Sequence, residues 1–383
     1  MPGPIYFDNN ATTRPLDEVV EAMLPFLRDR YANPSSVHQF GQAVRHKVEC
    51  AREQVAGLIG ASPKEIVFTA GGTESINLAI RGTLAATPAG TRLVTSAVEH
   101  SAVRRLGEQL AREGVVVDVV GVDGEGRLNL DELADKLTDD TALLSVMYAN
   151  NETGVMFDVE PIAALATERG VPVHLDAVQA VGKVPIDLSK LPVQLLSLSG
   201  HKFHGPKGAG ALFVRRRTRI RPLIIGGRQE RDLRGGTENV PAIIGLGAAA
   251  QAATQTLGET ADYVGRLRDR LERGTCDSVP TAGVNGRGAP RIYNTTNVGF
   301  RDIEAEAILL LLSESGVCAS AGSACSSGSL EPSHVLQAMK VDPRLAHGAV
   351  RFSLSRFNTE AEVDRVVEMM PALLDRLTVL HTR

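Results

Sequence analysis

The sequence contains few cysteines, no long apolar run and no leader-like start. Its 383 residues include four cysteines (Cys50, Cys276, Cys318 and Cys325), none in a CxxC pair, which indicates neither a zinc site nor a disulfide framework. Scattered cysteines fit a reducing compartment. The longest aliphatic run, at 307–312, is far shorter than the about 20 residues that span a bilayer, and the start MPGPIYFDNNATT lacks the charged and apolar regions of a signal peptide. We therefore expect a cytoplasmic protein with no membrane partner.

The chain also has no large excess of charge of one sign. Its formal net charge is −4, which provides no overall attraction to nucleic acid. Hydrophobic residues make up 43% and charged residues 22%, as is typical of a soluble globular protein. The strongest basic run, RRRTRIRP at 215–222, has two interpretations. It is a docking site for an acidic partner or tRNA or, as is more common for such runs, a solvated strand edge. We expect no direct nucleic-acid partner.

Short β-rich runs alternate with helical stretches through the first two thirds of the chain. Helical spacing of apolar residues marks 75–86, and Pro161 in a first turn with Gly170 past the end marks another helix. The runs that predict strands are 65–70, 92–97, 115–123, 142–147, 171–176 and 194–199. This alternation predicts an α/β domain with a mainly parallel sheet.

The pattern of predicted helices and strands changes beyond about residue 255. An amphipathic helix, a stretch with Gly and Pro, a strand-like TTNVGF and a final helix from about Glu360 follow. A chain of 383 residues exceeds the ~250–300 residues at which single cores stop growing. We therefore predict a large domain of residues 15–255 and a smaller α+β domain formed by 1–14 and 256–383.

Polar residues follow the ends of several predicted strands. Gly72-Thr73, His100, Asn151, Asp176 and Lys202 each lie at, or a few positions beyond, such an end. Ligands of open α/β sheets bind outside the carboxyl ends of the strands. Each residue alone fits an ordinary surface loop, but together they predict one pocket.

Lys202 and Asp176 indicate the chemistry of that pocket. Each follows an apolar run, and burial with suitable neighbours lowers the pKa of a lysine for Schiff-base work. An aspartate at the ring nitrogen of pyridoxal 5′-phosphate (PLP) keeps that nitrogen protonated, so that the ring accepts electrons. Gln179, on the same segment as Asp176, is a candidate donor to the ring oxygen. We therefore predict PLP held as a Schiff base on Lys202.

Two glycine-containing segments are candidates for the phosphate. AGGTES (70–75) is a turn leading into a helix, and backbone N–H groups at a helix N-terminus bind phosphate. It lacks the GK[ST] of a nucleotide P-loop, and a simple helix cap is its other interpretation. SGHK (199–202) offers a serine and a histidine beside the lysine. His201 and His204 would alternatively form a metal site, although no carboxylate or cysteine near them completes one.

Three further residues have both a chemical and a structural interpretation. His100 either stacks on the ring and shuttles protons or is a satisfied structural histidine. Arg351, in a strand-like stretch, either grips a substrate carboxylate or makes a surface salt bridge. Cys325 lies among Ser, Ala and Gly, a composition typical of an exposed loop in which a cysteine acts as a nucleophile. Cys318 is expected to pack in the core.

At these residues the chain resembles the cysteine desulfurases, a group of class-V aminotransferases with the PLP fold type I, similar to aspartate aminotransferase. The resemblance runs nearly end to end, and its wording is nearer to the nitrogen-fixation (NifS) type than to the housekeeping (IscS) type. The matching strings are YFDNNATT, NPSSVH, GGTES, VEHSAV, ANNETG, DAVQAVGK, SGHKFHGPKG, RGGTEN, GSACSSGSLEPSHV and RFSLSR.

The resemblance implies a role in cofactor binding for a set of positions. Lys202 would form the Schiff base, Asp176 would pair with the ring nitrogen, and His100 would stack on the ring. The residues implied to hold the phosphate are Gly72, Thr73, Ser199, Gly200 and His201.

Substrate and subunit roles are implied in the same way. Asn151 and Gln179 would contact the ring oxygen and the substrate side, and Arg351 would bind the substrate carboxylate. Thr237, in RGGTEN, would reach the phosphate of the neighbouring subunit, so a homodimer is implied. Cys325, on a loop of about 320–334, would accept sulfur from L-cysteine.

The implied reaction converts L-cysteine to L-alanine and leaves a persulfide on Cys325. That sulfur would pass to an iron–sulfur scaffold or another acceptor, for nitrogenase maturation, general cluster assembly or tRNA thiolation. Cys325 is also a candidate transient iron–sulfur ligand, although no second ligand lies at a metal-site spacing. The alternatives are a selenocysteine lyase or cysteine-sulfinate desulfinase, an ordinary aminotransferase, and a non-catalytic scaffold. Retention of Lys202 and Asp176 argues against the scaffold.

Overall fold

The computed structural model of the chain describes residues 3–87, 91–321 and 332–381, with side chains described as far as residue 377. Its β-strands form three sheets of two, three and seven strands. The strands are β1 (Ile5–Tyr6), β2 (Ile66–Thr69), β3 (Arg92–Ser96), β4 (Val116–Val120), β5 (Thr141–Met147), β6 (Val173–Asp176), β7 (Leu195–Ser199), β8 (Gly210–Val214), β9 (Ala282–Val284), β10 (Thr295–Phe300), β11 (Val317–Cys318) and β12 (Ala349–Ser353).

The seven-stranded sheet confirms the prediction of a mainly parallel α/β fold. Its strand order is β2-β8-β7-β6-β5-β3-β4, and β8 alone runs antiparallel to its neighbours β2 and β7. The central strands β5 and β7 are mainly apolar and are buried along their whole length, as expected for a sheet with both faces covered. The carboxyl ends of β2, β3, β5, β6 and β7 therefore share one edge of the sheet.

Helices cover the sheets and connect their strands. The helix predicted around Pro161 begins at Val159, with Pro161 in its first turn and Gly170 at φ +67° just beyond its end. The helices are α1 (Asp17–Arg28), α2 (Gln39–Leu58), α3 (Gly72–Ala86), α4 (Ser101–Arg112), α5 (Leu130–Lys136), α6 (Val159–Glu168), α7 (Val240–Ser278), α8 (Ala305–Glu314), α9 (His334–Ala338), α10 (Pro343–Ala346) and α11 (Glu360–His381). In the described part of the chain, none of these is long and apolar enough to cross a membrane.

A second apolar core lies around the small sheets. β10 is the central strand of the order β12-β10-β9, and β1 pairs in parallel with β11. Phe7, Phe300 and Phe352 are buried in this core. The N-terminal arm thus joins the C-terminal elements, and the predicted boundary at 255/256 falls within the 39-residue helix α7.

The basic run at 215–222 is not a strand edge, contrary to the commoner interpretation of its sequence. β8 ends at Val214, and Arg215 turns back to donate to the carbonyl oxygens of Leu188, Leu191 and Val193 at 2.6–2.8 Å. Half-buried Arg215 therefore holds a loop beside the sheet, because its guanidinium satisfies three carbonyl groups.

Candidate active site

The five predicted strand ends converge on one cavity of about 370 Å³ at the carboxyl edge of the large sheet. Each parallel strand delivers its residue to the same edge, which is why spacing along the chain gave a correct expectation of proximity. The cavity is lined by Asn10, Ala11, Gly72, Thr73, Ile76, His100, Ser101, Arg104, Arg105, Met147, Ala149, Asn151, Glu152, Asp176, Val178, Gln179, Ser199, His201, Lys202, His334 and Arg351.

Lys202 ends a short turn, Gly200–Lys202, that follows β7 directly. Its amine donates hydrogen bonds to the carbonyl oxygens of Asn10 at 2.5 Å and Ala11 at 3.0 Å. Because β7 is buried throughout, the base of the lysine is fixed while its amine reaches the cavity wall formed by the N-terminal arm.

Asp176 is the last residue of β6 and is 5% exposed. One carboxylate oxygen accepts the N–H of Val178 at 3.0 Å. Burial raises the pKa of Asp176 to about 6, against the opposing effects of that hydrogen bond and of the Lys202 charge. A buried carboxylate facing a cavity is stabilised by a cation there, so this position suits a protonated ring nitrogen.

His100 caps the N-terminus of α4 and is held as a neutral ring. Its Nδ1 accepts the N–H of Ala102 at 3.1 Å, which assigns the ring proton to Nε2. Burial, followed by the charges of Lys202 and His334, lowers the pKa of His100 to about 4. An uncharged, positioned imidazole on the cavity wall is suited to packing against an aromatic cofactor.

The phosphate candidates lie at the start of α3 and around the end of β7. A Cβ added at Gly72 would come within 2.6 Å of Val178 Cγ2, so only glycine permits this close approach. Thr73 and Ser199 line the cavity beside it, and the Nδ1 of His201 lies 3.2 Å from Thr12 Oγ1. Backbone N–H groups at a helix N-terminus together with hydroxyl donors form a phosphate site.

Gly200 and Thr237 stand apart from the cavity. Gly200 is buried and its N–H is donated to Ala209 O at 2.9 Å. Thr237 is exposed on the segment before α7, as a residue that acts on a neighbouring subunit would be. The roles implied for both residues remain predictions.

Arg351 makes a buried ion pair rather than the surface salt bridge considered from the sequence. It lies on β12, is 3% exposed, and donates to Asp8 Oδ1 at 2.7 Å and to the carbonyl of Asn151 at 3.0 Å. The guanidinium lines the cavity opposite the sheet. It is therefore placed to meet a substrate carboxylate.

The N-terminal arm contributes residues to the site that the sequence reasoning missed. Asn10 O accepts from both Lys202 and Gln179, and Asn10 Nδ2 donates to Asn151 O at 3.1 Å. Lys183, four positions after Gln179, lies behind it. The i,i+4 spacing of these two residues was the available signal, but no local pattern placed the arm against the sheet.

Two acidic residues beside the cavity were also missed. Glu99, next to His100, is buried, and burial followed by the Asp176 charge raises its pKa to about 8. Glu152 accepts a hydrogen bond from Ser333, and its pKa is raised by burial. Glu99 follows β3 and Glu152 follows β5, so the position after a strand end was the available signal for both.

Cys325 lies outside the described residues, as does most of its loop. Described residues just beyond it touch the site, since His334 Nε2 lies 2.9 Å from Glu99 O. Cys318, on β11, is half-buried, whereas the sequence predicted that it packs in the core. In the ranges that the structure describes, no group of three metal-ligating side chains occurs.

Comparison with known proteins agrees with this geometry. Residues 5–366 match the family described as aminotransferase class-V. A cysteine desulfurase of Trichormus azollae is 53% identical over 98% of this chain and 94% of its own. The cysteine desulfurase NifS of Azotobacter vinelandii is 52% identical over 97% of this chain and 93% of its own.

The chain belongs to the cysteine desulfurase group of the class-V aminotransferases. A solved NifS-like protein superimposes with a TM-score of 0.92 at 40% identity, covering 98% of this chain and all of that one. The predicted family and PLP fold type I are thereby confirmed, and so is PLP as the cofactor of the family. The cavity fits PLP: Asp176 suits its ring nitrogen, Lys202 its aldehyde, and the start of α3 its phosphate.

Proposed function

We propose that this cysteine desulfurase moves the sulfur of L-cysteine onto Cys325 and releases L-alanine. The observation that carries the proposal is that Lys202, Asp176 and Arg351 line one cavity, from the turn after β7, the end of β6 and β12 respectively. A lysine that removes a proton, a carboxylate that sustains a cationic ring and a guanidinium that holds a carboxylate are what an amino-acid substrate requires. When bound, PLP supplies an electron sink for the carbon from which the proton is removed.

Each residue of the site has a separate role in the reaction. Arg351 and Asn151 orient the substrate, and Lys202 takes the proton from its Cα. Asp176 keeps a positive charge on the ring nitrogen. His100, uncharged, packs against the ring and shuttles protons. Each of these roles is proposed from placement in the cavity and from the family.

The sulfur-transfer step uses the thiolate of Cys325 as nucleophile. The thiolate attacks the sulfur of the substrate, an S–S bond forms, and the Cβ–S bond breaks. The electron pair of that bond stays with the carbon fragment, which takes up protons and leaves as L-alanine. The transferred sulfur, oxidised relative to the thiol, remains on Cys325 as a persulfide that a reductant releases as sulfide.

The test is the release of sulfide and alanine from L-cysteine with a reductant. We expect equimolar products from the parent protein and no turnover from Cys325→Ala, with the visible cofactor band unchanged. Cys318→Ala is the matched control, because it removes a half-buried thiol only seven positions away. Full desulfurase activity in Cys325→Ala would sink the assignment of the acceptor.

A homodimer completes the proposal. The exposed Thr237 is available to a second subunit's phosphate site. Leu223, Ile224 and Ile225 form a consecutive run of exposed apolar side chains, with Ile225 86% exposed, and contiguous exposed apolar surface commonly marks an interface. Light scattering should give twice the mass of one chain, and Ile225→Asp should shift the protein toward monomer. Leu310→Asp, at another exposed apolar residue, should leave the mass unchanged.

We further propose that the persulfide is delivered to an iron–sulfur scaffold or another sulfur acceptor in the cytoplasm, where the thiol stays reduced. The NifS name of one relative favours nitrogenase maturation among the possible destinations. A persulfide on Cys325 would also be a soft ligand for iron in transit. Labelled sulfur from L-cysteine should appear on a scaffold protein with the parent chain and not with Cys325→Ala.

The proposed division of the chain places 15–255 in a large PLP-binding domain. Residues 1–14 and 256–383 form the smaller one, with the cysteine loop. The separate core around the small sheets supports this division. Limited proteolysis that cut first within the seven-stranded sheet would contradict it.

A further inference from the structure

A second lysine is buried beside the active site. Lys183 is 6% exposed, and its amine donates to Gln179 Oε1 at 2.7 Å and to Asn10 Oδ1 at 3.3 Å. Lysine is seldom buried this completely unless it is paired. Burial, followed by the charges of Lys202 and Arg351, lowers the pKa of Lys183 well below its ordinary value. A lysine buried at this cost calls for a reason in the site itself.

Two contacts orient the Gln179 amide, one with Lys183 and one with Asn10. Gln179 Oε1 accepts from the lysine, while Nε2 donates to Asn10 O at 2.9 Å. A flipped amide would set Nε2 against the Lys183 donor and Oε1 against the Asn10 carbonyl. Both hydrogen bonds would be lost at once, and lost buried hydrogen bonds are costly.

Asn10 provides a fixed point for this arrangement. Its Nδ2 donates to Thr295 Oγ1 at 2.9 Å and to Asn151 O at 3.1 Å, and its Oδ1 accepts from Asn294 Nδ2 at 3.2 Å. These contacts do not involve Lys183. The Asn10 amide is therefore already fixed, and the lysine spans from it to Gln179.

We propose that Lys183 is a positioning residue of the desulfurase site, holding the Gln179 amide so that its second N–H is presented to the cavity. Gln179 lines that cavity, and one of its two N–H groups is already used by Asn10. The remaining N–H is the donor to the ring oxygen of PLP. This inference rests on the proposed role of Gln179 and extends it to a residue with no place on the cavity wall.

The test is a double-mutant cycle between Lys183 and Gln179. Lys183→Met keeps the length of the side chain and removes its donors. We expect the visible band of the holoenzyme, at one fixed pH, to shift, and kcat/KM for L-cysteine to fall about tenfold, the size of one hydrogen bond of about 1.4 kcal/mol. In a Gln179→Leu background the same substitution should add less than about twofold, because its target is gone.

The control is Lys190→Met, at a lysine whose side chain is 83% exposed, which should change neither band nor rate. A shifted band in Gln179→Leu but not in Lys183→Met would overturn this inference alone. An unchanged band in Gln179→Leu would overturn the proposed role of Gln179 as well. If the losses of kcat/KM in the double variant are additive, Lys183 has only a structural role.

If Lys183→Met does not fold, Lys183→Gln is used as the test variant instead. Glutamine retains an N–H donor without the amine. A band like that of the parent protein would support the positioning role, and a band like that of Gln179→Leu would overturn it.

Discussion

The two sides of the active-site cavity are built by different means. On the sheet side, Lys202, Asp176 and His100 each come from the end of a separate parallel strand. On the opposite side, Asn10, Asp8 and Arg351 come from the N-terminal arm and β12. On the sheet side, the backbone of each functional residue is positioned by its own buried strand, and the Lys202 amine also donates to Asn10 O and Ala11 O. The arm side holds its functional groups collectively, because Arg351 donates to Asp8, and Arg351 and Asn10 both donate to the carbonyl oxygen of Asn151.

The difference predicts how each side responds to substitution. A group fixed by its own strand can lose its chemistry while the fold is retained. When a group that is fixed by its partners is removed, those partners lose their positions as well. Substrate binding and stability then fall together.

Lys202→Ala should give the largest loss, more than about 10³-fold in kcat, because the proton-removing amine and the cofactor attachment disappear together. The melting temperature of the cofactor-free variant should match that of the cofactor-free parent within about 2 °C, since β7 supports the position. Sulfide release and thermal unfolding measure the two quantities. The exposed Lys207→Ala is the control, and a large drop in melting temperature would contradict the sheet-side model.

Asp176→Asn should lower kcat/KM by about 10²-fold, the range of a removed electrostatic group in an active site. Asparagine keeps the shape and the acceptor for the Val178 N–H but not the charge that sustains a cationic ring nitrogen. The visible spectrum and alanine release should change together. Activity equal to that of the parent protein would show that the carboxylate does not face the ring nitrogen.

The strand ends of the sheet side were predictable from sequence because each one is marked by a short local pattern of residues. An apolar run followed by a polar residue marks the end of a buried strand, and parallel topology brings those ends together. Asp176, Lys202 and Gly72 were placed in this way. Arg351 was identified by family resemblance, while spacing left it between a substrate ligand and a surface ion pair.

Asn10 and Lys183 could not be placed from the sequence. Asn10 is close to Lys202 because of long-range contacts: β1 pairs with β11, more than 300 residues away, and Asn10 itself contacts Asn294 and Thr295. Lys183 followed Gln179 at helical spacing, but whether its amine met solvent or Asn10 depended on that same long-range pairing. Cofactor chemistry was therefore predictable from short segments, whereas the arm that encloses it was not.

Asp8→Asn tests the arm side and should have a moderate effect on two properties at once. It removes the charge that pairs with the buried Arg351, and breaking such a pair costs about 3–5 kcal/mol. KM for L-cysteine should rise about tenfold, because the guanidinium loses its fixed orientation. Thermal unfolding and steady-state kinetics measure both.

Asp17→Asn is the control for that variant, because Asp17 also pairs with an arginine but on the surface, where such pairs contribute little. A rise in KM in Asp8→Asn without any loss of stability would mean that the arm side is no more collective than the sheet side.

Glu99→Gln should have the smallest effect on rate but a clear effect on the pH dependence of stability. Glu99 is 1% exposed, its Oε1 accepts from Ser96 Oγ at 2.5 Å and from Met147 N–H at 2.9 Å, and its Oε2 has no hydrogen-bond partner among the described residues. Its pKa is about 8 in the folded chain and near 4.5 when unfolded. Between those values the folded state keeps a proton that the unfolded state releases, so stability falls as pH rises.

Glutamine removes this titration and keeps the Oε1 acceptor. The difference in free energy of unfolding between Glu99→Gln and the parent should therefore change in favour of the variant as pH rises. The expected change is up to about 1.4 kcal/mol per pH unit between pH 5 and 8. Denaturant unfolding at four pH values measures the gain, and the exposed Glu53→Gln should run parallel to the parent. A constant difference across pH would mean that Glu99 is already ionised in the fold. If the gain is found while kcat/KM changes less than about threefold, Glu99 is a neutral neighbour of Asp176, and the charge opposite the ring belongs to Asp176 alone.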